Sequence, residues 1–320
     1  MISRRHWLAG FAATAVGMSR IACSRPGNSD GCSNAEAGGP KAESSLVRMH
    51  EMSFDKSRGG PQKAVVIIPT WVTTENPAPL LVALHGLGES NRGLDVGAWA
   101  WARDYWLDRC LTRLQSPPLQ KRDTLNIATD SHLDTINQSI QRHPWRGLVV
   151  VCPYTPDILT EGSLNESSTA VSEFARFVVE NLVPDVESAF PVIGGRSATG
   201  IDGVSLGGRM AMLVAAARPE AFRSLGTIQA AVRDREVQSA ASIVQKTWDK
   251  PVHPDTLRIL TSVDDPFLPA LRNLAKKLES TGLQANFDAV PGGHNYEFNR
   301  GLGGYHMLLW HDKVLRTKGS

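Results

Sequence analysis

The chain has 320 residues and a formal net charge of +2, with 42% hydrophobic and 21% charged residues. Those proportions suit one large α/β domain, or two small ones, with a sizeable core. The basic residues are scattered, which gives no electrostatic footprint for nucleic acid, and after the N-terminus no run of about 20 apolar residues implies a membrane span.

The chain opens Met1-Ile2-Ser3-Arg4-Arg5-His6-Trp7-Leu8, followed by the apolar stretch Leu8 to Val16. Paired arginines ahead of a short apolar run resemble a twin-arginine export signal, so residues 1–23 are expected to direct the protein out of the cytoplasm, to the periplasm or the exterior. Cys23 follows Arg20-Ile21-Ala22, a faint likeness to a lipoprotein cleavage site. Arg20 stands where that pattern carries an aliphatic residue, which weighs against a lipid anchor at Cys23. Residues 24–45 are rich in Gly, Ser, Asn, Ala and Pro. Such a stretch buries too little surface to offset its ordering entropy, so it reads as a flexible linker. The catalytic domain is then expected over 46–320.

Within that domain, strand-like apolar runs recur at Ala64–Ile68, Leu80–Leu84, Leu148–Val151, Ile201–Val204, Leu225–Ile228, Leu257–Leu260 and Ala285–Val290. Runs of this length suit strands covered on both faces. Between them, Val171, Phe174, Ala175, Val178 and Leu182 share one helical face, with Ser167 or Ser168 able to cap its start. Leu268, Leu271, Leu274, Ala275 and Leu278 form a second such face, and Gly282 supplies a stop. Alternating strands and helices predict a mostly parallel sheet with helices on both sides. An insertion at about 88–147 holds a Trp-rich helical stretch (Trp99, Trp101, Trp106) and a polar portion near 116–143; Ala231 to Asp255 is a second long connection. Excursions of this kind often serve as lids or substrate loops, although the tryptophans are expected to pack a helix on the sheet. Cys110 and Cys152 form no C-x-x-C pair, so zinc-ribbon and thioredoxin-type motifs are disfavoured. They are either a disulfide, permitted by export, or two buried thiols.

The chemistry centres on Gly203-Val204-Ser205-Leu206-Gly207, a G-x-S-x-G pentapeptide after an apolar run. This pattern marks a nucleophile elbow, in which a tight strand-to-helix turn presents a serine hydroxyl. Glycines two positions either side remove side chains where strand, turn and helix crowd together. A serine nucleophile needs a base, a group that orients the base, and N–H donors for the oxyanion. In α/β-hydrolases the order along the chain is serine, acid, histidine. Of the histidines after Ser205, His294 fits, in the loop Pro291-Gly292-Gly293-His294 directly after a late strand. His306 and His311 stand five apart in the expected last helix, Tyr305 to Arg316, poorly aligned on one face, and read as surface residues. His253 precedes the late strands. The acid is Asp264 or Asp265, adjacent residues after Leu257–Leu260. The N–H of Leu206 offers one oxyanion donor, and Leu87, in the loop Leu84-His85-Gly86-Leu87-Gly88, is the best second; His85 is expected to shape that loop.

From about Val65 to Arg316 the chain resembles the esterase D branch of the α/β-hydrolase superfamily, which includes S-formylglutathione hydrolases, enterochelin-type esterases, feruloyl esterases and mycolyltransferases. The likeness rests on the helix ending Leu182-Val183-Pro184, the elbow with its double glycine Gly207-Gly208, and Pro219-Glu220-Ala221-Phe222 beyond the elbow helix. In that branch an aromatic residue or leucine follows the acid by two positions, which favours Asp265, with Phe267, over Asp264. Its histidine commonly lies between a glycine and aromatic residues, as in Gly293-His294-Asn295-Tyr296. The stretch 86–147 departs from the branch.

The resemblance implies an α/β-hydrolase fold and a serine esterase acting on a small-molecule ester. Ser205 is the expected nucleophile, His294 the base and Asp265 the orienting acid, with Leu87 and Leu206 as oxyanion donors. This chemistry needs no metal or organic cofactor. Three rivals use the same residues differently: an acyltransferase acting on cell-envelope alcohols, a peptidase, and a non-catalytic binding module. Neither the acyl nor the alcohol group of the substrate follows from the sequence, nor does the oligomeric state.

Overall fold

A computed structural model describes residues 46–316, apart from 56, 58, 159–163 and 166. Residues 1–45, where the sequence leads one to expect an export signal, a linker and Cys23, lie outside the described residues. Eight strands form one sheet: β1 (Val47–Phe54), β2 (Gln62–Pro69), β3 (Leu80–Leu84), β4 (Val149–Pro153), β5 (Thr199–Gly203), β6 (Ser224–Ile228), β7 (Thr256–Asp264) and β8 (Ala285–Gly293). Their order is β1-β2-β4-β3-β5-β6-β7-β8. The first two neighbour pairs, β1–β2 and β2–β4, are antiparallel. From β4 to β8 every pairing is parallel.

The continuous apolar runs are covered on both faces, as strand alternation requires. In β3, Leu80, Val82 and Leu84 join the core on one side, while Leu81 and Ala83 join the core on the other. The first core packs under helices Thr169–Arg176, Leu206–Ala217, Val237–Trp248 and Leu268–Ser280; the second packs under Ala100–Arg103, Leu107–Arg113, Asp130–Arg142 and Gly304–Arg316. Ser168 caps its helix by accepting from Val171 N. That helix continues through a π-helical turn at Phe177–Leu182 into Val183–Ala189.

Several sequence expectations need adjustment. The edge strand β1 carries no apolar run; it alternates half-buried residues such as Met49 and Met52 with exposed Arg48 and Glu51. The polar stretch near 116–143 is largely the helix Asp130–Arg142, capped by Thr129, and its Ile136 and Ile140 reach the core. Trp101 is fully buried there. Cys110 and Cys152 are free, buried thiols.

His306 and His311 are not surface residues. His306 Nε2 lies 3.0 Å from His132 Nε2. His311 is fully buried and faces the middle of β5, where Asp202 is also fully buried. Asp202 Oδ2 accepts from Arg258 Nη2 at 2.8 Å and lies 3.0 Å from His311 Nε2; its Oδ1 accepts from Gly203 N at 2.7 Å. On its other side, His311 Nδ1 lies 2.9 Å from Ser224 Oγ. Arg258 also donates to His306 O at 2.6 Å and sits over the Trp310 ring. This network ties the last helix to β5, β6 and β7 directly beneath the G-x-S-x-G turn. The nearest glycine leaves no slack, since a Cβ at Gly226 would stand 2.0 Å from Asp202 Oδ2.

Removing one partner of a buried ion pair strands the other charge, at a cost of about 3–5 kcal/mol. Arg258→Met is therefore expected to lower the urea unfolding free energy on that scale, and Asp202→Asn added to it should recover a measurable part. Equal stability of wild type and Arg258→Met would contradict the role given to this network.

Candidate active site

Ser205 stands at the turn between β5 and the helix Leu206–Ala217. Its backbone has φ 55° and ψ −115°, a region that non-glycine residues avoid at a cost of order 1–3 kcal/mol. Strand ends on both sides hold it there. Val204 N donates to Leu84 O at 3.0 Å, and Ser205 N donates to Ile228 O at 2.9 Å. Ser205 O accepts from Ala231 N at 3.0 Å. The glycines are sterically required: a Cβ on Gly203 would lie 2.4 Å from the Gly207 carbonyl, and one on Gly207 would lie 2.2 Å from Leu84 O.

β8 ends at Gly293, and the next residue, His294, faces the serine. His294 Nε2 is 3.1 Å from Ser205 Oγ, and His294 Nδ1 is 3.1 Å from Asp265 Oδ1. Asp265 is buried and fully engaged: Oδ2 accepts from Thr261 Oγ1 at 2.6 Å and Oδ1 from Phe267 N at 2.9 Å. The Phe267 ring packs edge-on against His294. Asp264 is exposed and is the last residue of β7, paired in register with Gly293. Just before them, β7 leaves regular register after Ser262, and Val263 and Asp264 are exposed. Of the two aspartates, only Asp265 meets the histidine.

The loop after β3 lies against the serine; a Cβ on Gly86 would stand 3.7 Å from Ser205 Cβ. Leu87 and Leu206 each open a helix, so no intrahelical carbonyl takes up their amides. His85 fixes the loop from beneath. Its Nδ1 lies 3.0 Å from Gly86 O, while Nε2 accepts from Thr155 N at 2.8 Å, and His85 N donates to Thr155 Oγ1 at 3.1 Å. Burial pushes its pKa down to about 4, which keeps the ring neutral, with Nδ1 as the donor.

Four residues at this site escape sequence reading. Glu89 is buried in the loop, accepting from Tyr105 OH and, at 2.5 Å, from Tyr296 OH. Tyr105 OH in turn accepts from Gly86 N at 3.2 Å. Tyr296, two residues past His294, thereby joins the histidine loop to the Leu87 loop across the cleft. Gln229 Nε2 donates to Ser262 Oγ at 2.6 Å and to Gly293 O at 2.9 Å, bracing the residue before His294. Partners up to 207 positions apart leave no local sequence pattern; the one hint is an aromatic just after the histidine. On the other flank, buried Arg209 binds both carboxylate oxygens of Glu236 at 3.0 Å and ties the second long connection to the elbow helix.

A hydroxyl, an imidazole and a buried carboxylate in one hydrogen-bonded line, beside two helix starts, suit acyl transfer through serine. Residues 162–306 match the profile of a family described as putative esterase. That stretch of the chain, from before the elbow to beyond His294, is similar to this family. No curated protein matches the chain by sequence. Solved structures share its fold at low identity. An S-formylglutathione hydrolase from Agrobacterium tumefaciens is 19% identical, with a TM-score of 0.58, covering 85% of this chain and 97% of its own. The fluorophosphonate-binding serine hydrolase F of Staphylococcus aureus is 14% identical, with a TM-score of 0.54 and coverage of 83% and 98%. A feruloyl esterase module from Clostridium thermocellum is 13% identical, with a TM-score of 0.57 and coverage of 86% and 92%. Among the described residues, no cluster of three or more His, Cys, Asp or Glu could hold a metal, and no helix is long and apolar enough to cross a membrane.

Exchanging the aspartates separately discriminates their roles. Asp265→Asn is expected to lower kcat for an activated ester by about 10⁴-fold, the scale seen when a triad acid loses its charge. Asp264→Asn, an exposed change, should stay within about twofold. The reverse pattern in steady-state kinetics would move the acid to Asp264.

Proposed function

We propose that the protein is an exported serine esterase that works through an acyl-enzyme on Ser205. The observation that carries this reading is the unbroken line from Ser205 Oγ to His294 to Asp265, with each step at 3.1 Å. In the first step His294 Nε2 takes the serine proton as Oγ attacks the ester carbonyl. The Asp265 carboxylate, held by Thr261 and Phe267 N, accepts the Nδ1–H and stabilises the imidazolium. The Leu206 and Leu87 amides face the developing oxyanion, where preorganised donors are each worth about 3 kcal/mol. His294 then gives its proton to the leaving alcohol. Water repeats the sequence to free the acid and restore Ser205.

Export is inferred from Arg4-Arg5 and the short apolar stretch that follows. An extracytoplasmic site would give the enzyme access to esters outside the cell. Neither a metal nor an organic cofactor enters any step.

A fluorophosphonate probe tests the nucleophile directly. Wild type is expected to be labelled and to lose turnover of short p-nitrophenyl esters in parallel, while Ser205→Ala does neither. Absence of labelling in a folded wild type, or equal labelling of Ser205→Ala, would overturn the proposal. A panel of esters of graded acyl length, with feruloyl and acetylated-sugar esters included, then identifies the preferred acyl and alcohol groups.

A further inference from the structure

Beside the cleft lies a cavity of about 460 Å³ that the chemistry at Ser205 does not use. Its wall includes Trp106, Asp108, Arg109, Arg122 and Arg300, together with the ion pair Arg113–Asp123 at 2.9 Å. That pair is self-compensating. The other three guanidiniums have no carboxylate within salt-bridge distance among the described residues. Arg109 and Arg300 are instead set against the Trp106 ring, with guanidinium carbons 4.1 Å and 4.4 Å from its centre. Arg300 is further fixed by donating from Nε to Asp104 O at 2.7 Å. Arg122 is exposed at the rim.

The cavity adjoins the reaction centre through Arg300, which lies six residues past His294. Its guanidinium carbon is 5.3 Å from the centre of the Tyr296 ring, and Tyr296 OH reaches Glu89 in the loop that carries Leu87. One wall of the cavity is therefore continuous with the rim of the cleft.

We propose that this cavity is a subsite for an anionic group on the ester substrate, a carboxylate or a phosphate. The proposal rests on the esterase reading above and names the substrate class for it. Guanidinium forks match the planar oxygens of a carboxylate and the tetrahedral oxygens of a phosphate, and stacking on an aromatic plane pre-sets their direction. Asp108 is the one unpaired carboxylate in the wall. Burial raises its pKa, while the adjacent Arg109 lowers it. Its Oδ1 is buried away from the cavity surface, without a hydrogen-bond partner. An anionic substrate gives charged partners to guanidiniums that no salt bridge occupies, which a neutral one does not.

Matched p-nitrophenyl esters test this, with acyl chains of equal length ending in a carboxylate, a phosphate or a neutral amide. Acetate esters of hydroxyalkyl carboxylates, phosphates and amides probe the alcohol side. A charge-assisted contact of this kind is expected to raise kcat/KM for an anionic ester at least about tenfold over its neutral match, mainly through KM. The preference should shrink with added salt and fall toward unity in Arg109→Gln/Arg122→Gln, whose fold is checked by fluorophosphonate labelling. Whether the carboxylate or the phosphate leads identifies the group. Binding of the same esters to Ser205→Ala by calorimetry reads the subsite without turnover, so inactivity of wild type would count against the esterase reading alone. Equal kcat/KM and equal binding for anionic and neutral esters on both sides, or a preference unchanged by the double substitution, would overturn the subsite.

Discussion

Everything at the centre depends on the backbone of Ser205 being held at positive φ. A serine does not rest there by its own preference, so the surrounding structure must over-determine it. β3 and β6 do this by taking the amides of Val204 and Ser205 onto their last carbonyls. The double constraint works only because Gly203 and Gly207 let strand, loop and helix approach to distances that no Cβ allows. From that fixed point the serine hydroxyl meets His294, and the next residue, Leu206, opens the elbow helix.

The other components are brought to this point by separate strands, each with its own brace. β7 delivers Asp265 and β8 delivers His294, and Gln229 links the ends of both. β3 delivers the Gly86–Leu87 loop, which His85 and Thr155 lock from below and Glu89 and Tyr105 lock from the side. Tyr296 closes the frame by bonding Glu89. A shift in one loop is thus felt by the opposite one, as expected where catalytic geometry must hold within fractions of an ångström. Beneath it, Asp202 links β5 to Arg258 in β7 and to His311 in the last helix, so the strand that carries the elbow is anchored at its buried middle as well as at its tip.

Much of this was legible in the sequence, for physical reasons. Strands covered on both faces write themselves as apolar runs, and steric crowding at the elbow writes itself as glycines. His294 was readable because a histidine directly after a late strand, behind two glycines, has few other uses. Asp265 was favoured over Asp264 only through the resemblance and its Phe267; the residues alone leave the two open until the end of β7 is known. The apolar run stops at Leu260, but the strand continues to Asp264, so the residue that follows it is Asp265. β1 was illegible because an edge strand with exposed Arg48 and Glu51 lacks the run. His311 was misread because helical spacing does not reveal which face meets a buried aspartate inside an otherwise apolar strand. Glu89, Tyr105, Tyr296 and Gln229 act through contacts distant in sequence, and only the folded chain brings them together.

The central claim is that Ser205 carries the acyl group during turnover. The most direct measurement is rapid acid quenching of the wild-type enzyme during hydrolysis of p-nitrophenyl acetate, followed by mass analysis of the proteolytic peptides. The account predicts acetylation confined to the peptide that contains Ser205, accumulating before the steady state and absent from Ser205→Ala. Steady turnover with no acetylated peptide, or with the acetyl group on another residue, would contradict it.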